Sequence, residues 1–205
     1  MSKIYYEMQI KELEKIKTPK KLLLHSCCAP CSSHVISLLT KYFNITILYY
    51  NPNISPITEY QKRKEEQIRL IKELPTTNKI DIIDCDYDNN IYNKMVKGYE
   101  NCQERGARCE ICFNLRLEKT AKIAQENKYD YFCTTLTVSP YKNSVLINEI
   151  GEQLAKKYNI KWLYSDFKKN NGYKNSIELS KKYNLYRQNY CGCIYSQKEK
   201  TTPNV

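Results

Sequence analysis

The stretch KLLLHSCCAPC, residues 21–31, decides how the chain folds. An apolar run of Leu22, Leu23 and Leu24 ends in His25 and Ser26, and Cys27, Cys28 and Cys31 follow at once. A short apolar run bounded by turn residues suits a buried strand. Pro30 has a fixed φ and no N–H, which suits the first turn of a helix. Beyond it Val35, Leu38, Leu39 and Tyr42 recur at helical spacing. The segment therefore reads as strand, tight cysteine-bearing turn and helix. In open α/β sheets ligands bind at the carboxyl ends of strands, where these thiols would lie. A structural disulfide is the plainer reading, but adjacent Cys27 and Cys28 make poor partners for one another. Metal or redox use is favoured.

Working outward, residues 5–17 suit a short charged helix leading into this strand. Ile45, Ile47, Leu48 and Tyr49 form a second β-rich run, closed by Asn51-Pro52-Asn53. Strand, helix, strand begins a parallel sheet. A loop and a basic helix follow, with Ser55-Pro56 as the start signal and Tyr60, Lys62, Arg63 and Lys64 on it, read as a solvated face that could also touch phosphate. Ile80, Ile82 and Ile83 make a third strand before Asp84, Asp86 and Asp88, which suit either a site or a turn and helix cap. Cys109 and Cys112 form a C-x-x-C, with Phe113, Leu117, Ala121 and Ala124 behind them at helical spacing. The pair thus falls at a helix N-terminus, where free N–H groups and the dipole favour thiolates. Tyr131 to Cys133 read as a fourth strand, residues 134–144 as a polar loop, Ile147 to Tyr158 as a helix, and Ile160 to Tyr164 as a fifth strand. The tail mixes Lys168, Lys169, Lys174, Lys181, Lys182 and Arg187 with Tyr183, Tyr186 and Tyr190, then ends in Cys191-Gly192-Cys193. Such a mixture suits bases and phosphates, and equally suits helix packing.

Composition narrows the chemistry. A chain of 205 residues fits one α/β domain over 1–205, with a helical lead-in at 1–19 and a basic segment at 165–205. No apolar stretch approaches membrane-spanning length, and the charged N-terminal stretch lacks the apolar middle of a secretory signal. A cytoplasmic location is expected. Ten cysteines in a reducing compartment point to metal or redox work. With 33 basic against 22 acidic residues the net charge is +11, which favours a polyanion such as nucleic acid, although the richness in Lys, Asn, Ile and Tyr also fits a biased codon usage. The five glycines form neither a G-x-G-x-x-G nor a P-loop. There is no nucleophile elbow, and His25 and His34 are the only histidine bases on offer. Thiols converging from Cys27, Cys28, Cys31, Cys109 and Cys112 could hold a [4Fe–4S] cluster or zinc, and spacing alone does not separate them. Seven cysteines in three tight groups exceed what one structural zinc would take, which favours iron–sulfur.

These motifs together, HSCCAPC, the C-x-x-C at Cys109 and Cys112, the YNPNI loop and the terminal YCGC, resemble the cobalamin-independent epoxyqueuosine reductases of the QueH type. The resemblance spans residues 20–195. It implies an open, mostly parallel, nucleotide-binding-like (HUP-like) α/β sheet with a basic helical C-terminal segment. It implies an iron–sulfur oxidoreductase that removes the epoxide oxygen of epoxyqueuosine in the tRNA anticodon loop, with tRNA and an external electron donor as partners. Carried over, Cys27, Cys28, Cys109 and Cys112 match the 4Fe-4S cluster ligands, and Cys191 and Cys193 the redox-active pair. An adjacent Fe or Zn ion is implied too, with Cys31 as first candidate ligand. Asp86, Asp88 or Tyr141 could deliver protons. Gly192 can enter tight backbone conformations, so the C-G-C pair could close into a strained, labile disulfide. The competing readings are a zinc-stabilised RNA-binding module without catalysis, and a sulfur-transferring tRNA enzyme, whose phosphate loop is not found.

Overall fold

The computed structural model describes residues 2–201, with side chains described for 4–199. Residue 1 and residues 202–205, the extreme ends of the lead-in and the tail, lie outside the described residues. The leucine run forms β1 (Lys20–His25), and Leu22, Leu23 and Leu24 are wholly buried. It is the middle strand of a five-stranded sheet ordered β3-β2-β1-β4-β5, with β2 at Phe43–Tyr49, β3 at Ile80–Asp84, β4 at Tyr131–Thr134 and β5 at Lys161–Trp162. Every pairing is parallel. Leu22 and Leu24 pack with Val35, Ile36 and Leu39 of α2 (Ala29–Leu39) and Leu70 of α3 (Ile57–Glu73). Leu23 packs on the other face with Phe113 and Leu117 of α5 (Ala107–Glu126) and Ile147 and Leu154 of α6 (Ser144–Tyr158). Both faces are covered, so the strand is continuously apolar rather than alternating.

The strand order reverses between β1 and β4, and in such sheets that switch point opens a crevice at the carboxyl ends. His25, the last residue of β1, lies beside Thr134, the last of β4. Its Nδ1 is 2.8 Å from Thr134 Oγ1 and its Nε2 is 3.1 Å from the Tyr50 carbonyl. Burial pushes His25 down to about 3. A neutral ring fixed at both nitrogens ties the crevice walls together and is no general base.

Two local expectations need correction, and one open alternative is decided. Residues 135–138 are not a polar loop but a buried 3-10 turn, Thr135–Val138. Thr134 caps the turn by accepting from Leu136 N–H at 3.2 Å, the hydroxyls of Thr137 and Ser165 are 3.0 Å apart, and Thr135 Oγ1 lies 3.9 Å from Cys27 Sγ. The fifth strand is only Lys161–Trp162, because Asn148 draws the chain away by accepting from both Trp162 Nε1 and Ser165 N–H at 3.0 Å. A short helix, α4 (Asn89–Met95), is capped by Asp88, whose carboxylate accepts from Asn90 N–H at 2.9 Å. That settles Asp88 as a cap. The lead-in is α1 (Ser2–Lys15), and the tail contains α7 (Gly172–Lys182) and α8 (Ile194–Thr201). No described helix is long and apolar enough to cross a membrane.

Gly151 in α6 marks the tightest approach to the sheet, since a Cβ there would collide with the Trp162 ring. On an exposed helix Gly→Ala would stabilise by about 1 kcal/mol. Here Gly151→Ala is expected to destabilise by roughly 1–3 kcal/mol through overpacking, seen as a lower melting temperature.

Candidate metal and thiol site

The turn after β1 is braced from below. Gln67 Oε1 on α3 accepts from the hydroxyls of Ser26 and Ser32, each at 2.7 Å, and Asn51 Nδ2 donates to the Ser26 carbonyl at 2.8 Å. Cys28 occupies the cap position of α2 in extended conformation, with Pro30 in the first turn as expected. So held, the sulfurs of Cys27, Cys28 and Cys31 all lie within 4.8 Å of one another, with Cys27 and Cys28 3.8 Å apart. Tetrahedral thiolates about 2.3 Å from a single ion stand roughly 3.8 Å apart. The three residues could hold a metal ion. Without one they cannot all ionise. Cys27 is held well below the usual thiol range by hydrogen bonds from Cys28 and Cys31, while Cys27 in turn pushes Cys28 up to about 12 and raises Cys31 well above the ordinary thiol value.

A second set of thiols lies at the start of α5 and in the tail, and of these only Cys191 lines the cavity beside Cys27 and Cys31. Gly106 starts α5, so Cys109, Cys112 and Arg116 fall on one stripe at its N-terminal end. Arg105 N–H donates to Cys109 Sγ at 3.3 Å. Burial pushes Cys112 up to about 12, with Cys191, Cys193 and Cys109 adding to the rise. Cys193 is buried, and both the N–H and the hydroxyl of Ser196 lie 3.4 Å from its sulfur. Lys142 Nζ donates to Cys191 Sγ at 3.1 Å. The structure thus gathers Cys27, Cys28 and Cys31 into one group, and sets Cys109 and Cys112 beside the terminal pair. Cys133 is buried against the Leu163 carbonyl at 3.3 Å, away from both.

Between the groups lies a cavity of about 420 Å³ lined by Cys27, Cys31 and Cys191. The cations of Arg105, Arg116, Lys142 and Arg187 line it, against the carboxylate of Glu104. Arg116 is 1% exposed, donates from Nε to the Cys112 carbonyl at 3.1 Å, and leaves one terminal nitrogen without a partner. Burial opposes its charge, but the thiols of Cys112, Cys191 and Cys27 raise its pKa on balance. Lys142 is raised likewise, against burial, chiefly by Cys191. A buried guanidinium without a carboxylate is costly unless anionic matter faces it. Thiolates on a metal, or an anionic substrate, would meet that need. Of the proton-donor candidates only Tyr141 lines the cavity; Asp86 and Asp88 do not.

The basic face of α3 is solvated only in part, with Lys62 exposed and Lys64 half-buried. Tyr60 and Arg63 are buried. Glu59 Oε1 accepts from Arg63 Nε at 2.6 Å, and Arg63 donates onward to the carbonyls of Cys191 at 3.0 Å and Tyr190 at 3.4 Å. Glu66 accepts from Tyr186 N–H at 2.7 Å, Arg69 donates to the Tyr183 carbonyl at 3.0 Å, and Lys62 sits 3.7 Å over the Tyr186 ring. These residues form one helical stripe that grips the extended strap 183–193. Gly192 has φ +132 and no room for a Cβ, with Ile54 Cγ1 at 3.0 Å and Arg63 at 3.1 Å. Arg105, Arg116 and Lys142 were missed as site residues, and Arg63 was read as surface although it grips the strap. Arg116 alone carried a legible signal, its place one turn beyond Cys112.

A family model described as epoxyqueuosine reductase QueH matches residues 22–199. The chain is 42% identical over 202 residues to the epoxyqueuosine reductase QueH of Streptococcus pyogenes serotype M1, covering 96% of this chain and 79% of that protein. It is 43% identical to that of Staphylococcus epidermidis, over 95% of this chain and 85% of the relative. For Thermotoga maritima the figures are 36% identity, 87% and 91%. Among solved structures, a predicted subunit of tRNA methyltransferase from Methanocaldococcus jannaschii matches with a TM-score of 0.50 at 17% identity, covering 78% of this chain and 74% of that one. That likeness supports the fold alone.

Proposed function

Because the chain belongs to the QueH family of epoxyqueuosine reductases, we propose that it reduces the epoxide of epoxyqueuosine in tRNA to queuosine. The observation that carries this reading is the thiol triad of Cys27, Cys28 and Cys31, of which Cys27 and Cys31 line a strongly cationic cavity. An all-sulfur donor set suits soft ions and iron–sulfur clusters. Cys27, Cys28, Cys109 and Cys112 would hold the cluster, and Cys31 would be free to bind an adjacent Fe or Zn ion. When bound, such a cluster supplies single electrons at low potential.

The remaining chemistry belongs to the chain. Converting an epoxide to an alkene takes two electrons and two protons and releases water. Cys191 and Cys193 are both free thiols. Their oxidation to a disulfide yields two electrons and two protons, and an external donor must restore them. Lys142 donates a hydrogen bond to Cys191 and sets a positive charge inside the cavity. Arg116 offsets negative charge on its floor. Pro30, Leu136 and Val138 give part of the wall an apolar surface.

Anaerobic purification tests the reading. Broad visible absorption, about equal iron and sulfide, and deoxygenation of tRNA carrying epoxyqueuosine are expected. One equivalent of zinc, no iron and no turnover would favour the non-catalytic RNA-binding module instead. Phosphate pairing releases counterions, so tRNA affinity should fall steeply with salt. Lys181 and Lys182, exposed in the last turn of α7, are expected to contribute. Replacing both with Ala should lower the salt slope by about 1 for each lysine that pairs with a phosphate, and an unchanged slope would remove them from the interface.

A further inference from the structure

At 61%, Tyr141 is more exposed than any other large hydrophobic side chain among the described residues, and it stands at the cavity that holds Cys27, Cys31 and Cys191. Its backbone is fixed. Ser139 Oγ accepts from Tyr141 N–H and the Ser139 carbonyl from Lys142 N–H, each at 3.3 Å. Asn143, next in sequence, caps α6 by accepting from Val145 and Leu146 N–H at 3.1 and 3.2 Å. While Tyr141 stays exposed, Lys142 turns in to Cys191 Sγ at 3.1 Å. One rigid turn therefore offers an aromatic ring to solvent and an ammonium to the thiol from consecutive residues.

Arg105 supports the ring. Its guanidinium carbon is 5.6 Å from the Tyr141 centroid, within cation–π reach. Its φ of +76 is left-handed, a costly conformation for a residue with a Cβ and one that concentrates at ligand sites. Its N–H meanwhile holds Cys109 Sγ. An unpaired aromatic face with an arginine plane beside it is what unstacked RNA bases bind. The surrounding excess of Arg and Lys over carboxylate favours RNA over a protein partner.

The geometry points to Tyr141, backed by Arg105, as the stacking platform for a nucleobase of the RNA loop at the cavity mouth, which lets the substituent of the modified base reach inward toward Cys191. This rests on the tRNA reading above. Stacking tolerates any base, so the platform contributes affinity and placement, while the cavity supplies chemical selection.

The test is binding of an RNA hairpin with a fluorescent purine analogue in its loop, alongside turnover and melting temperature. Wild-type protein should quench the analogue. Tyr141→Phe should keep quenching, affinity and turnover. Tyr141→Ala should lose quenching and weaken binding roughly 5- to 150-fold at unchanged melting temperature. Tyr99→Ala, a 41% exposed tyrosine away from the cavity, should change nothing. Wild-type protein that fails to bind the hairpin sinks the tRNA reading itself. Hairpin binding that Tyr141→Ala leaves within twofold overturns the platform alone. Tyr141→Phe that binds normally but does not turn over would make the phenol a proton donor and overturn a purely stacking role.

Discussion

Cys27→Ser is expected to abolish both metal binding and turnover, while Cys31→Ser should separate the two ways in which the triad could be used. The three sulfurs within 4.8 Å form one donor set, and the position of Cys27 also couples it to Thr135 at 3.9 Å and to the cavity. A serine oxygen is harder, less polarisable and far less readily ionised, so it is a poor substitute for a soft ion's ligand. Iron and sulfide content, visible absorption and single-turnover deoxygenation are the measurements. If the cluster is held by Cys27, Cys28, Cys109 and Cys112, then Cys31→Ser retains the cluster absorption and loses at most one further ion. If the triad alone is the metal site, Cys31→Ser bleaches it and Cys109→Ser does not. Cys85→Ser and Cys133→Ser should leave absorption intact in either case. Full metal content in Cys27→Ser would remove the triad from consideration.

Arg63→Ala is expected to cut turnover by at least tenfold through placement, since Arg63 is not itself part of the cavity lining and acts on the strap that is. The side chain is 1% exposed and joins Glu59 to the carbonyls of Tyr190 and Cys191. Removing it leaves Glu59, 12% exposed, without its cation and frees the strap. A stability loss of roughly 3 kcal/mol follows from breaking a largely buried ion pair. Because a folding defect alone could lower activity, alkylation of Cys191 provides the independent readout. Its labelling rate should rise severalfold in Arg63→Ala at temperatures where the protein is folded. Arg63→Lys keeps the charge but cannot donate to Glu59 and two carbonyls at once, so it should recover stability more than turnover. Unchanged labelling with normal turnover would reduce Arg63 to a core residue.

Much of the fold was legible because single elements carried strong signals. The Leu22 to Leu24 run, the Pro30 helix start and the stripe of Phe113, Leu117, Ala121 and Ala124 each had one physical reading. The cysteine groups were legible as well, since thiols so closely spaced have few other uses. What sequence concealed was long-range pairing. Arg63 looked like surface because its partners are carbonyls 127 and 128 residues away, which no periodicity records. Lys142 lay in what read as a polar loop, and its inward turn depends on a thiol 49 residues on. Residues 135–138 misled for the same reason. Threonines read as solvent-facing until Ser165 and the strand end supply the partners that let them be buried.

The bridge from His25 to Thr134 spans 109 residues, and that span sets an order of events during synthesis. The cysteine turn at 27–31 leaves the ribosome long before β4 exists to close the second wall. Parallel pairing between such distant strands is slow to form, so the nascent chain carries three unprotected thiols through most of its translation. A metal site that needs Cys109 or Cys112 as well as the triad could be completed only after that seam can close, and oxidation of the early thiols is the hazard in the interval. A chain produced in air should fail through mispaired cysteines near its start, well before its thermodynamic stability is in question.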